Sequence, residues 1–434
     1  MKATDDHLVE QYILRNLQEG LKSFDELLQL CHSLYPTELN ATLERLEAAD
    51  QIIKLKGNRG YLARGDKPDL WRELQTSWDD NLERANQAFV ALMHQIPQPH
   101  NIDYEWWFTH MSREELASKI LTESPLPIPE RMVFLASPLF GAFVSMLVPD
   151  TDCLILDKSS ATLDTIAKVV DNPRLSLVNY DAENPLPDEY IGIADFVFFD
   201  PPWYLDYYDL FFRRSVLLAS GKSSVIANIL FPVLTRSTSF SERRELMNNA
   251  GEYGLSLVKI EEQAAHYLTP EFELQSLRRE GIKARNWRKG DLAFFVSDGT
   301  KHLENRYQQL EQYKWVEALI DRIKVKVKIK EDEPEDTYFK PEILKTHERN
   351  ATLASVSRRD PFREQIDLWT STHQGYKTRG WKALWIIAQC ISRNEDATQA
   401  ANAIRSEFPG NTFPDSFESD IETVWQELYN IVKA

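Results

Sequence analysis

The stretch ADFVFFDPPW, residues 194–203, decides the fold of this chain. Its apolar run FVFF is typical of a central strand in a parallel sheet, where helices cover both faces. The two prolines that follow cannot continue the strand, because proline has no backbone N–H to donate to a neighbouring strand. The stretch therefore predicts a buried strand that ends in the carboxylate of Asp200 and a rigid turn.

Similar strand signals recur on both sides of this stretch and alternate with helical patterns. The other six segments are MVFLA (132–136), CLILD (153–157), LSLVNYD (175–181), SSVIANIL (223–230), LSLVKIEEQ (255–263) and DLAFFVSD (291–298). Strands that alternate with helices are typical of an open, doubly wound α/β sheet. We therefore predict a Rossmann-like α/β domain over residues 130–298.

Acidic residues stand at the ends of three consecutive predicted strands. Asp157 ends the second strand, Asp181 the third and Asp200 the fourth. In open parallel sheets the ligand binds beyond the carboxyl ends of the strands, and an acidic residue after the second strand accepts hydrogen bonds from a ribose. A carboxylate after the third strand can accept from the amino group of an adenine. The spacing therefore predicts an adenosine-binding edge.

The four residues Asp200, Pro201, Pro202 and Trp203 resemble motif IV of the class I S-adenosylmethionine-dependent methyltransferases that act on exocyclic amino groups. The resemblance implies that S-adenosylmethionine is the cofactor and that the first choice of acceptor is a nucleic-acid base. In such a site the carboxylate of Asp200 and the carbonyl of Pro201 accept both amine hydrogens, and Pro202 stiffens the turn. Trp203 offers a face to a flipped base or, through a cation–π contact, to an alkyl ammonium.

The layout of a larger part of the chain is similar to the branched-chain polyamine synthase family. This similarity spans about residues 6–297 and includes Asp181, Asn184 and the Pro185-Leu186-Pro187 run, followed by the Asp-Pro-Pro sequence. It implies an alternative activity, aminopropyl transfer from decarboxylated S-adenosylmethionine to a polyamine.

The turn after the first strand departs from both families. It reads ASPLFGA at residues 136–142, where methyltransferases have a glycine-rich loop and the polyamine family has a glycine and a run of aspartates. Ala136 and Gly141 are the candidate cofactor contacts, whereas Leu139 and Phe140 are expected to crowd the methionine part of the cofactor. A third possibility is therefore a binding or sensor module that has lost its activity.

The flanking regions predict three further parts. Three amphipathic helical patterns and the hairpin IIKLKGNRGYLA predict a winged helix-turn-helix domain at residues 1–66. Residues 67–129 are predicted to form a helical connector, and residues 299–434 a small, mostly helical C-terminal region. The winged helix is also a candidate dimerisation element.

Two basic regions are candidates for contact with nucleic acid. The predicted third helix of the winged domain carries three glutamates and only one base, Arg45, which favours a protein-docking role over DNA recognition. The wing residues that could contact phosphate groups are Lys54, Lys56, Arg59 and Arg64. A second candidate for phosphate contacts is a basic stretch over residues 278–289, which contains Arg278, Arg279, Lys283, Arg285, Arg288 and Lys289. The lone His266 before this stretch is expected to be structural.

Composition narrows the class of protein. The 434 residues carry 50 Lys and Arg against 67 Asp and Glu, a formal charge of −17, which disfavours indiscriminate binding to nucleic acid or anionic membranes. Three dispersed cysteines without metal-ligand spacing predict neither a disulfide framework nor a metal site. We expect a cytoplasmic protein without a membrane span.

Overall fold

The structure is a computed structural model, and it describes residues 9–10, 12–17, 20–30, 36–55, 60–63, 70–100, 102, 106–122, 129–221, 224–271, 274, 277–278, 281, 285–299, 303–310, 313–334, 339–344 and 364–433. The chain divides into two compact units. The first comprises residues 1–92, 108–267 and 288–310, and the second comprises residues 93–107, 268–287 and 311–434. This partition is coarser than the predicted domains 1–66, 67–129, 130–298 and 299–434, which stay predictions.

The N-terminal part of the first unit contains three helices followed by a hairpin. Its elements are α1 (residues 9–17, without residue 11), α2 (Phe24–Leu30), α3 (Pro36–Ala48), β1 (Ile52–Leu55) and β2 (Gly60–Ala63). A small core of leucines and isoleucines joins them, as their helical spacing predicts. Ser23 and Glu26 begin α2 with reciprocal side chain to backbone hydrogen bonds of 3.2 and 2.7 Å. The order of elements is the predicted one, and the winged-helix assignment stays a prediction.

A seven-stranded sheet forms the centre of the first unit. Its strands are β3 (Arg131–Leu135), β4 (Asp152–Asp157), β5 (Leu175–Asn179), β6 (Phe196–Phe199), β7 (Val225–Leu230), β8 (Leu255–His266) and β9 (Lys289–Ser297). Their order across the sheet is β5-β4-β3-β6-β7-β9-β8. The first five are parallel, and β9 runs antiparallel to both of its neighbours. The predicted α/β fold with a mostly parallel sheet is confirmed.

Helices connect and flank these strands. They are α4 (Leu70–Gln95), α5 (His110–Thr122), α6 (Pro138–Leu147), α7 (Ser160–Val169), α8 (Leu205–Leu218) and α9 (Ser239–Glu252). Arg113 of α5 lies between the rings of Phe89 and Phe143, with its guanidinium carbon 3.9 and 4.5 Å from their centroids. Burial lowers the pKa of Arg113 to about 10. The chain order reverses between β3 and β6, which places the expected ligand crevice beyond the carboxyl ends of these strands.

The described residues of the second unit form a five-stranded antiparallel sheet and three continuous helices, and residues 271, 274 and 277–278 are also helical. Its strands are β10 (Trp315–Ile320), β11 (Ile323–Lys328), β12 (Glu342–Leu344), β13 (Leu368–Thr370) and β14 (Gly375–Arg379), in the order β10-β11-β13-β14-β12. The helices are α10 (Trp381–Ser392), α11 (Ala397–Glu407) and α12 (Phe417–Lys433). The prediction of a mostly helical region is thus wrong for the described residues between 315 and 379, which form strands, whereas the helices of this region begin at Trp381.

The charged alternation in β11 explains this error. Lys326 and Lys328 are buried, although lysines that alternate with valines suggest a solvated edge or a linker. Acidic partners compensate for their burial: Lys326 Nζ lies 3.1 Å from Glu317 Oε2, and Lys328 Nζ lies 3.7 Å from Asp367 Oδ1. Among the described residues, no helix combines the length and apolar character that crossing a bilayer requires.

Candidate active site

The turn after β3 lacks the first two glycines of a nucleotide-binding turn and has the third. Glycines of the dinucleotide-binding fingerprint stand at positions one, three and six. Ala136, Pro138 and Gly141 have the same spacing here. Ala136 adopts a φ of 51°, a left-handed conformation that is costly for a residue with a side chain, and its N–H donates to the Leu156 carbonyl at 2.8 Å. The tight turn therefore strains the backbone at Ala136.

Gly141 has a packing role in the structure. A Cβ atom at this position would lie 2.7 Å from Cγ of Phe134 and 3.0 Å from Cγ1 of Ile155. The missing side chain lets α6 approach the sheet closely, which is the role of the third glycine in the fingerprint. The structure thus accounts for Gly141 through helix–sheet packing, and direct contact with a cofactor stays a prediction.

Phe140 belongs to the hydrophobic core of the first unit. Its ring centroid lies 4.7 Å from that of Phe198, 5.4 Å from Phe108 and 6.1 Å from Phe134. Only 2% of the residue is exposed. Its ring is committed to packing among these three phenylalanines, which argues against the expected crowding of a cofactor by Phe140.

The predicted adenosine carboxylates lie at or just beyond the ends of adjacent strands. Asp157 is buried at the end of β4, and its Oδ1 accepts the N–H of Ser159 at 2.7 Å. Asp181 lies two residues beyond β5, and its Oδ1 accepts the N–H of Glu183 at 3.0 Å. Because both residues follow the carboxyl ends of parallel strands, they lie at the predicted edge of the sheet. The backbone that follows each residue orients its carboxylate.

Asp200 is held by two residues from distant parts of the chain. Its backbone N–H donates to Oγ of Ser137 at 3.2 Å, and its Oδ2 accepts the hydroxyl hydrogen of Tyr267 at 2.8 Å. Ser137 is buried directly after the Ala136 turn, and Tyr267 is buried directly after β8. The first turn, the end of β6 and the end of β8 therefore meet at one carboxyl group.

The environment of Asp200 raises the pKa of its carboxyl to about 7. Desolvation is the main cause, since burial penalises the charged form. Hydrogen bonds from Tyr267 and Trp203 and the positive charge of Arg288 act in the opposite direction. The carboxyl thus changes its protonation state near neutral pH, as groups that exchange protons in active sites often do.

Trp203 lies between an aromatic and two cationic side chains. Its ring is 6.0 Å from that of Tyr267 in an edge-to-face arrangement, and the guanidinium carbon of Arg288 lies 5.1 Å from its centroid. Its carbonyl accepts a hydrogen bond of 2.9 Å from Arg236. Arg236 is in turn paired with Glu242. A cation therefore already lies over the predicted stacking surface.

The structure describes the two basic regions only in part. Lys56, Arg59, Arg64, Arg279 and Lys283 lie outside the described residues. Arg278 pairs with Glu271 at 3.1 Å, and Arg45 of α3 pairs with Glu10 at 3.0 Å. Of the described members, Arg288 is the one that contacts a predicted site residue.

Sequence reasoning missed Tyr267 as a functional residue although it singled out the neighbouring His266. The strand β8 pairs with β9 through register shifts between Leu257 and Lys259 and between Glu261 and Ala265. Such shifts break the alternation that assigns side chains to sheet faces. The sequence therefore offers no local signal that Tyr267 lies against Asp200.

Comparisons with known proteins give remote similarities. A scan against models of known families and a search of curated proteins found no match. Among solved structures, the branched-chain polyamine synthase from Thermus thermophilus in complex with N4-aminopropylspermidine and 5′-methylthioadenosine is 14% identical, with a TM-score of 0.47, and covers 70% of this chain and 90% of its own.

Two further solved structures are methyltransferases by description. A putative RNA methyltransferase from Pyrococcus horikoshii is 12% identical, with a TM-score of 0.36, covering 49% of this chain and 98% of its own. A putative O-methyltransferase from Nostoc punctiforme is 12% identical, with a TM-score of 0.28, covering 68% and 95%. At such low similarity the fold assignment depends on the strand order. That order, with antiparallel β9 inserted between β7 and β8, is an open, mostly parallel α/β sheet.

Proposed function

We propose that the protein transfers an alkyl group, in the first place a methyl group, from an S-adenosylmethionine-type sulfonium to an amine nitrogen. The observation that carries the proposal is the Asp200 carboxyl, which lies at the end of β6, is held by Ser137 and Tyr267 and titrates near neutral pH. The proposed acceptor is the exocyclic amino group of a nucleic-acid base.

The residues at the sheet edge fit an adenosyl cofactor. The left-handed turn at Ala136 and the close helix contact at Gly141 correspond to two of the three fingerprint functions, the first without a glycine and the second with one. In this proposal Asp157 accepts hydrogen bonds from the ribose and Asp181 accepts one from the adenine amino group. When bound, the sulfonium supplies an electrophilic carbon.

Asp200 and Pro201 hold the acceptor in the proposed mechanism. The carbonyl of Pro202 already accepts the Tyr204 N–H at 2.7 Å, so the acceptor role beside Asp200 belongs to the Pro201 carbonyl. An amine conjugated with a ring is a weak nucleophile. We therefore assign two contributions to these residues. They orient the lone pair of the amine, and the ionised Asp200 stabilises the positive charge that develops on the nitrogen.

The charge around Trp203 favours a nucleobase over a polyamine. Arg288 lies over the Trp203 ring, so a spermidine cation that approaches this ring would meet like charge. A neutral base attached to an anionic backbone has no such penalty. In this proposal Arg288 contacts the nucleic acid. Contacts of the wing with nucleic acid and a homodimer through the winged helix stay predictions.

Calorimetry and a transfer assay test the proposal together. We expect S-adenosylmethionine and S-adenosylhomocysteine to bind the full chain, and labelled methyl groups to reach oligonucleotides rather than spermidine. Asp200→Asn should lower transfer by about 10²–10³-fold while cofactor binding persists. Asp195→Asn is the matched control, because Asp195 precedes β6 at the other end and accepts hydrogen bonds from Arg131 and Ser220.

Three outcomes separate the alternatives. Binding of decarboxylated S-adenosylmethionine alone, with transfer to spermidine, would establish the aminopropyl alternative. An absence of any thermal shift with saturating cofactor would establish the binding or sensor module. Arg288→Met should raise the activity with spermidine relative to oligonucleotides if the charge argument holds.

A further inference from the structure

The loop that follows β5 is anchored by a segment far along the chain. This loop, residues 180–187, contains Asp181 and contacts segment 303–310, which is neither helix nor strand. Asn305 bridges the loop from both sides: its Oδ1 accepts the Leu186 N–H at 2.7 Å, and its Nδ2 donates to the Leu186 carbonyl at 2.6 Å. The Gln308 N–H donates to the Glu183 carbonyl at 2.9 Å.

Arg214 of α8 completes this anchor from the interior. The residue is 1% exposed, and its Nε donates to the Ala182 carbonyl at 2.9 Å. Its Nη2 donates to the Arg306 carbonyl at 2.7 Å, and its Nη1 lies 3.4 Å from Oδ1 of Asn305. One buried guanidinium thus contacts the loop and segment 303–310 together. Burial lowers the pKa of Arg214, so its position has an energetic cost.

The loop also contains two internal hydrogen bonds. The Tyr180 hydroxyl donates to the Asn184 carbonyl at 2.9 Å, and the Asn184 N–H donates to the Asp181 carbonyl at 2.9 Å. The loop is therefore closed on itself and tied at Ala182, Glu183 and Leu186. A loop without secondary structure needs such ties to hold one side chain in one place.

From these contacts we infer that Arg214 and Asn305 are positioning residues of the adenine subsite, which they form by holding the Asp181 loop against segment 303–310. The inference rests on the proposed function, because it assigns Asp181 to the adenine amino group. It predicts that the discrimination between adenine and hypoxanthine in the ligand depends on Asn305, which itself need not touch the ligand.

The test measures binding of S-adenosylhomocysteine and of S-inosylhomocysteine, which lacks the amino group, to the full chain by calorimetry. For Asn305→Ala we expect the affinity for the adenine ligand to fall about tenfold, the scale of lost hydrogen bonds, while the affinity for the hypoxanthine ligand changes much less. Arg214→Lys should act in the same direction. Amide hydrogen exchange over residues 180–187 should become faster in both variants.

Asn172→Ala is the matched control. Asn172 also bridges backbone groups, since its Oδ1 accepts the Arg174 N–H at 2.9 Å and its Nδ2 donates to the Ser145 carbonyl at 2.9 Å. It does so before β5, at the opposite end of the strand, so its loss should leave the ligand preference within about twofold of the original protein. Thermal unfolding of each variant separates a folding defect from a binding defect.

The outcomes distinguish a failure of the positioning role from a failure of the proposed function. If the unaltered protein binds the adenine ligand and Asn305→Ala keeps both its affinity and its preference, the positioning role is overturned and the proposed function stands. An equal loss of affinity for both ligands would also overturn it, because a merely structural defect has that effect. If the unaltered protein binds neither ligand, the proposed function fails and this inference fails with it.

Discussion

The Tyr267 hydroxyl donates a hydrogen bond to Oδ2 of Asp200 across 2.8 Å, although 67 positions separate the two residues. This bond stabilises the charged form of the carboxylate and so opposes the effect of burial on its pKa. It also commits one carboxylate oxygen to the protein. Tyr267 therefore orients the group proposed to hold the acceptor amine and lowers its pKa against the larger effect of burial.

Replacing Tyr267 by phenylalanine should move the pH dependence of transfer upward. Activity should rise with pH through about 7 in the unaltered protein, because the ionised Asp200 is the active form. Without the hydroxyl the carboxylate loses a stabilising hydrogen bond, so the midpoint should rise and activity at neutral pH should fall about tenfold. A kcat–pH profile measures the shift.

Tyr253→Phe is the control for this experiment. Tyr253 is also buried, and its hydroxyl donates to another carboxylate, Asp209. Tyr253 precedes β8, whereas Tyr267 follows the opposite end of that strand. Its profile should keep the original midpoint. A midpoint for Tyr267→Phe that equals that of the unaltered protein would contradict the role assigned to Tyr267.

Asp200→Asn should make stability less dependent on pH. The pKa of Asp200 is raised from 3.8 to about 7, so the folded state binds its proton more tightly than the unfolded state. Stability from this group is therefore greatest below pH 4 and declines as pH rises to about 7. Relative to the unaltered protein, the variant should gain free energy of unfolding between pH 5 and pH 8, while transfer falls by about 10²–10³-fold.

Denaturant unfolding at several pH values measures that difference. The Asp195→Asn variant should show no comparable gain across the same range. A free energy of unfolding for Asp200→Asn that runs parallel to that of the unaltered protein would show that the carboxyl is not destabilised by burial.

The two special positions of the first turn should respond in opposite directions. Gly141→Ala places a Cβ 2.7 Å from Cγ of Phe134 and should destabilise the protein by about 1–3 kcal/mol. Ala136→Gly relieves a left-handed φ of 51° and should leave stability unchanged or slightly increased. Thermal unfolding of both variants checks the prediction. Equal destabilisation would contradict the strained-turn description.

Gly290→Ala should impair transfer by displacing Tyr267. An added Cβ would lie 2.3 Å from Cγ2 of Ile229 and 3.3 Å from the Tyr267 hydroxyl, so the neighbouring side chains must move. We expect a loss of about 1–3 kcal/mol in stability and an upward shift of the pH midpoint. Gly251→Ala, where an added Cβ meets no described atom within 4 Å, is the control and should change neither property.

The local patterns of the chain contain most of the α/β fold. The central strands β3, β4, β6 and β7 are mostly apolar runs bounded by helix or turn signals, so their existence follows from neighbouring residues. Asp157, Asp181 and Asp200 lie at strand ends because polar residues terminate those runs, and parallel strands bring such ends to one edge. The Asp-Pro-Pro-Trp turn is likewise visible locally, since proline excludes a continued strand.

The second unit shows where local patterns fail. The sequence suggests that Lys326 is solvated. Its side chain is in fact buried, and Glu317 on the neighbouring strand β10 compensates for its charge. A buried charge is tolerable only with such a partner, and the partner is chosen by strand pairing. The helical prediction for this region was wrong because pairing of five strands is not a property of any one segment.

By itself, the sequence determined the alternation of strands and helices and the carboxylates that end three strands. Only the tertiary structure decided that Tyr267 binds Asp200, that Arg288 lies over Trp203 and that Arg214 ties the Asp181 loop to Asn305. The physical reason is that secondary structure depends on periodicities within one segment. A hydrogen bond between distant residues depends on strand order, register shifts and the packing of helices on the sheet.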